Sequence, residues 1–144
     1  MAAGNVIFYQ HAVEDMMRGA LDLQSITLVL SAISQGYTPS PQSHSSYTND
    51  ISAYVVTAAG YTDRLLSSQA VSRTTNSHVA VDAADVTLSA TGTIKAKYIV
   101  CRAQNTGRPV FYFDADQATT TGIEATQIVV QWNALGIARI NNPA

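Results

Sequence analysis

Thr93–Arg102 (TIKAKYIVCR), followed by the turn-forming run Gln104–Pro109 (QNTGRP), is the stretch whose reading decides the fold. Its residues are β-branched, aromatic or alternating, and Asn, Gly and Pro close it, which is the pattern of a strand ending in a turn. The same pattern continues downstream. Val110–Asp114 (VFYFD) reads as a second strand, Gln117–Ala125 (QATTTGIEA) as a polar loop and Thr126–Trp132 (TQIVVQW) as a third strand. Asn133–Gly136 (NALG) then turns the chain into Ile137–Asn141 (IARIN). This series commits the chain to a β-rich sheet and contains no catalytic constellation.

Upstream, Val6–Ala20 predicts a helix. Val6, Tyr9, Val13, Met16, Met17 and Ala20 recur at three- and four-residue intervals, with His11, Glu14, Asp15 and Arg18 mostly opposite and Gly19 near the stop. Ser25–Ile33 (SITLVLSAI) predicts a central strand covered on both sides. Ser34–Asn49 is a polar loop, after which Asn49 or Asp50 caps a helical turn leading into a strand at Ser52–Thr57. Gly60 and Tyr61 make a turn, Asp63–Thr75 leans to strand, His78–Val81 and Val86–Leu88 are short strands, and Thr91–Gly92 is another turn. One helix with seven or eight short strands predicts a mainly β chain: a single domain over residues 1–144, built as a jelly-roll-like antiparallel β-sandwich, with residues 1–22 as an N-terminal arm or helix.

Composition narrows the role. Apolar residues make up 47% of the 144, but charged residues only 12%, about half the usual share. Ala, Ser and Thr fill the difference, at roughly a third of the chain. A surface of Ser and Thr is desolvated more cheaply than one of Lys and Glu, so the composition points to a protein that assembles with other chains. A net charge of −2 and eight scattered Lys and Arg argue against nucleic-acid binding, and Lys95 and Lys97 read as a solvated sheet face. The lone Cys101, inside an apolar strand, excludes an intrachain disulfide and suits a buried thiol in a reducing cytosol. No run reaches the length of a membrane-crossing helix and no export signal is visible, so neither a membrane nor a classical export route is expected.

Each candidate for chemistry has a plainer reading. His11, His44 and His78 lack metal-ligand spacing, and the serines beside His44 lack a nucleophile elbow. Asp82 with Asp85, and Asp114 with Asp116, offer carboxylate pairs for calcium or glycoside hydrolysis, but aspartates at strand ends usually bind turn amides. Phe111, Tyr112 and Phe113 alternate across a sheet, so one side is either core or interface. Trp132 is expected to plug a core edge, with its indole N–H on a carbonyl. No catalytic residue, cofactor or metal is therefore expected.

Several segments carry a resemblance. Tyr37–His44 (YTPSPQSH), Asp50–Val55 (DISAYV), Gly60–Tyr61, Val81–Val86 (VDAADV), Thr93–Val100 (TIKAKYIV) and Val130–Arg139 (VQWNALGIAR) resemble, in order, small virion structural proteins of tailed bacteriophages. Asn133–Ala134 stands where that pattern has Asp-Ala. The resemblance implies a capsid decoration, or cement, protein without enzymatic activity. It would be made in the host bacterial cytoplasm and bound to the outer capsid surface. Its partners would be the major capsid protein and its own copies, as a homodimer or homotrimer, with no nucleic acid or membrane. Alternatives are a tail or head–tail connector component, and a carbohydrate- or receptor-binding module using Tyr37, Tyr47 or Tyr61 for stacking.

Overall fold

The computed structural model describes residues 5–73 and 78–141. In chain order it holds β1 (Ile7–Phe8), α1 (Gln10–Met17), β2 (Leu28–Ile33), a one-turn α2 (Tyr47–Asp50), β3 (Arg64–Leu65) and β4 (Ala70–Arg73). Next come β5 (His78–Asp82), β6 (Val86–Ala96), β7 (Tyr98–Ala103), β8 (Pro109–Asp114), β9 (Ile123–Val130) and β10 (Ala138–Asn141). The expected mainly β architecture is present, and every strand pairing is antiparallel. Among the described residues three sheets form, ordered β1-β8-β7-β2-β3, β10-β5-β4 and β6-β9.

One bent hairpin organises this arrangement. TIKAKYIVCR is two strands rather than the single one expected: β6 ends at Ala96 and β7 begins at Tyr98, with Lys97 between them. The returning arm breaks at the same level, β8 ending at Asp114 and β9 starting at Ile123. Tyr98 pairs with Asp114 on one side of the bend and Ala96 with Ile123 on the other. The outer arms therefore form the two-stranded sheet and the inner arms join the five-stranded one. Thr91–Gly92, expected as a turn, lies within β6 at a register shift between Ser89 and Ile94. There both amides donate to the Ala59 carbonyl, at 2.8 and 3.0 Å, which bends the strand without ending it.

Alternation along each strand builds the core on both faces of the larger sheet. Leu30, Ile99, Cys101, Phe111 and Phe113 share one face, and all are buried. Trp132 meets Phe111 and Phe113 edge-on at 6.2 and 5.8 Å, and β6 packs on β2 and β3. The inner face of the β6-β9 pair adds Leu88, Ile94, Ile128 and Val130 to the same cluster. Full burial of each such side chain contributes about 1.5–3 kcal/mol. The opposite face carries Ser31, Tyr98, Val100, Arg102 and Tyr112, and is covered by Tyr9, Tyr37 and Tyr47. Core packing on both faces thus accounts for the Phe111–Phe113 run. The strand expected at Ser25–Ile33 is present over Leu28–Ile33 as β2, with all six of its residues buried, while residues 25–27 lie in the turn before it.

Three further expectations change. The N-terminal helix is shorter than Val6–Ala20, because Ile7 and Phe8 pair with Tyr112 and Phe111 as an edge strand. Its end is as expected: Gly19 has φ +76°, and Gly19 and Ala20 donate to Met16 and Asp15 in a Schellman turn. That helix is joined by α2, capped by Ser46 rather than by Asn49 or Asp50. Ser46 Oγ accepts the Asn49 amide and the Asp50 carboxylate reaches back to the Ser46 amide, a reciprocal cap. Ser52–Thr57 forms a 3-10 turn (Ser52–Tyr54) and one bridge from Val55 to Ile33, instead of a strand. Strand structure in Asp63–Thr75 is confined to β3 and β4; Thr74 and Thr75 lie outside the described residues.

Candidate functional surface

The polar side chains most suited to chemistry are engaged inside the fold. Lys97 is buried at the hairpin bend, correcting its expected place beside Lys95 on a solvated face. Its ammonium contacts both Asp114 carboxylate oxygens at 2.8 Å, the Asp116 carbonyl at 2.8 Å and the Thr119 carbonyl at 2.5 Å. Asp114 also accepts the Asp116 amide, and Asp116 accepts the Ala118 amide. The Asp-x-Asp pair therefore ties down the 115–122 loop. Gly122, at φ +85°, lets that loop close, since a Cβ there would overlap the Ala96 carbonyl and come within 2.6 Å of the Lys97 Cα. Lys95 remains exposed, 3.6 Å from Glu124 on the neighbouring strand.

A second cluster lies under the loop that covers the larger sheet. Arg102 donates to Ser31 Oγ at 2.5 Å and to Asp63 at 2.9 Å, with its guanidinium 4.2 Å from the Tyr47 ring centroid. Tyr47 donates to Ser31, and Tyr61 donates to Asp63 while accepting the Ala32 amide. Nearby, the Tyr9 and Tyr37 hydroxyls are 2.7 Å apart, and Tyr37 is 2.8 Å from His44 Nδ1. Burial raises the Tyr9 and Tyr61 phenols and pushes Tyr37 up to about 12. Tyr37 and Tyr47 are buried and present no face on which a sugar stacks, while Tyr61 is half-buried with its hydroxyl bonded to the Ala32 amide and Asp63.

Most of the remaining candidates also have local partners. His44 pairs with Tyr37 rather than with a serine. His11 lies beside the Tyr9 ring with its buried Nε2 unbonded among the described residues, and His78 opens β5. Asp82 accepts the Ala83 amide and Asp85 the Trp132 amide, the turn role expected of them. The Trp132 indole donates to the Ala84 carbonyl at 3.1 Å, as expected. Cys101 is fully buried, which drives its thiol well above the ordinary range. Among the described residues no three His, Cys, Asp or Glu group as metal ligands, and no helix is long and apolar enough to cross a membrane.

What is left open is apolar. Cross-strand register sets Val79 opposite Ile140 and Val81 opposite Val71, collecting branched side chains on one face of the β10-β5-β4 sheet. That face and α1 enclose a hollow of about 440 Å³, to which Phe8, Val13, Met16, Leu21 and Leu23 contribute. Ile140 is 74% exposed and Met17, on α1, 86%. A second, shallower depression beyond α1 shares Phe8 and Val13 and adds Ile7 and Met17, so the apolar surface continues across the helix. Sequence reading missed this surface: HVAV and IARI look like ordinary half-buried strands, and nothing local shows that they pair away from the main core.

No protein-family model, curated protein or solved structure matches the chain.

Proposed function

We propose that the chain is a capsid decoration protein, which binds the outside of a phage coat lattice and stabilises it by bridging neighbouring capsomers. The carrying observation is the apolar surface spanning α1 and the β10-β5-β4 sheet, on a body whose polar clusters are spent on internal bracing. Exposed apolar surface of this kind marks interaction sites. The ordered sequence resemblance to virion proteins supplies the context. The bent hairpin, with its arms in two layers, supports the jelly-roll-like sandwich that goes with this reading.

In this role the partners are the major capsid protein and copies of the chain itself, many weak contacts adding up through avidity. The chain has no catalytic part, takes no cofactor and contacts neither nucleic acid nor membrane. It acts on the outer capsid surface after synthesis in the bacterial cytoplasm. The test compares particles assembled with and without the protein under rising denaturant. Particles carrying it are expected to release coat subunits later, at a copy number of hundreds per particle. Equal stability refutes the reading, and a copy number of six or twelve refutes it in favour of a connector.

A further inference from the structure

We infer that the β10-β5-β4 sheet is a lobe that pivots as one body on its base, and that Gln24 and Gln69 are the straps that fix its position. The inference goes beyond the proposed function and stands or falls on the purified chain alone.

Strand direction puts the junctions with the main body at one end of this sheet. Residues 66–69 lead into Ala70 of β4, residues 83–85 follow Asp82 of β5, and residues 131–137 lead into Ala138 of β10. Register sets Ala70 against Asp82 and Ala138 against Val81, so the three junctions share one base. That base is well anchored. Leu66 and Ile137 are buried in the main core and Trp132 packs against it. Trp132 also holds the middle junction through Asp85 and the Ala84 carbonyl, while the Ala84 amide donates to the Ser67 carbonyl at 2.9 Å.

Beyond the base the attachment fades. Among the described residues these strands pair with no strand of the other two sheets, and Val81 is their one apolar side chain packed against the main core. Val81 is half-buried, whereas Val79 and Ile140, further out, are exposed. Within the lobe β5 is paired on both sides, so the three strands move together. Its position is fixed by side chains on the β4 edge. Gln24 Oε1 accepts the Val71 amide at 3.0 Å, and Gln69 Nε2 donates to the Leu23 and Ile26 carbonyls at 2.7 and 3.0 Å. Asp22 pins the turn that presents Gln24, accepting the Gln24 amide and the Ser25 hydroxyl. Leu21 and Leu23 of the same segment line the hollow beside α1, so the straps set the spacing between its two walls. Hydrogen bonds of this kind each bias an equilibrium roughly three- to tenfold, enough to hold a lobe that little else secures.

A distance across the hollow reads the outcome. Met17→Cys on α1 and Ile140→Cys on β10 replace exposed side chains and take nitroxide labels, while Cys101 is buried. Double electron–electron resonance between the labels is expected to give one narrow distribution with the straps intact. Gln24→Ala combined with Gln69→Met, which keeps the stem and removes the donors, is expected to broaden it. Four strand residues make a lever of about 13 Å, so a pivot of about 15° displaces the tip by about 3 Å. Hydrogen exchange separates pivoting from unfolding. The β5 amides are expected to stay within about threefold of their wild-type protection, measured against β7, because their ladders travel with the lobe. An unchanged width in the double variant, or a broad distribution already present with both glutamines in place, overturns the role of the straps. Loss of β5 protection in the variant overturns the lobe as a single body.

Discussion

Replacing Lys97 by Met tests the account of the hairpin bend. The substitution keeps most of the apolar stem and removes only the ammonium. It strands the Asp114 carboxylate and the Asp116 and Thr119 carbonyls, which share that donor group. Removing one partner of a buried pair costs about 3–5 kcal/mol. Asp114 is 25% exposed against 10% for Lys97, and it keeps the Asp116 amide, so partial solvation reduces this to about 2–4 kcal/mol. At about 4 °C per kcal/mol, the melting temperature falls by about 8–16 °C. Urea denaturation should show the lower midpoint with an unchanged m-value. Hydrogen exchange should quicken first in the 115–122 loop. The sign of a second substitution is decisive. Adding Asp114→Asn to Lys97→Met removes the stranded charge and should recover about 1 kcal/mol or more. A Lys97→Met variant within about 0.5 kcal/mol of wild type, or a double variant less stable than Lys97→Met alone, refutes the bracing role.

Two other outcomes follow from the core. Cys101 should resist a thiol reagent in native buffer and react fully once the chain is unfolded; fast native labelling contradicts its burial. Alkali should unfold the protein through its tyrosines. Burial raises the folded-state values of Tyr9 and Tyr61 and brings Tyr37 to about 12, against an ordinary value of about 10. Stability from this source is whole below about pH 10 and is lost as pH rises through the folded values. Tyrosinate absorbance from the buried set should therefore appear together with the loss of circular dichroism. Complete ionisation near pH 10 in a chain that is still folded rules this out.

Local chemistry was legible where local chemistry decides. The Gly19 stop, the turn at Gly60, the apolar β2 and the turn roles of Asp82 and Asp85 rest on backbone preferences or neighbouring amides. Trp132 was readable because an aromatic ending an apolar strand has few other places to go. Lys97 was misassigned because alternation with Lys95 describes a straight strand, whereas the strand ends between them. Its one visible signal was a lysine set between Ala96 and Tyr98, facing an Asp-x-Asp that the next hairpin arm supplies. The loop tyrosines were placed outside because polar, Pro-rich loops usually run over the surface. Here the loop folds onto the sheet, where Ser31 and Arg102 hold Tyr47.

By itself the sequence determined a mainly β chain, the order of most of its strands and turns, and the absence of any recognised catalytic motif. Those properties follow from alternation, turn residues and motif spacing, which act over a few residues at a time. Tertiary structure alone decided that one strand is two, that Lys97 is a buried brace and that Val79 and Ile140 share an open apolar face. Each depends on side chains brought together by strand register from distant parts of the chain. Pairing energies across a sheet settle that register, and no short window of sequence contains both partners.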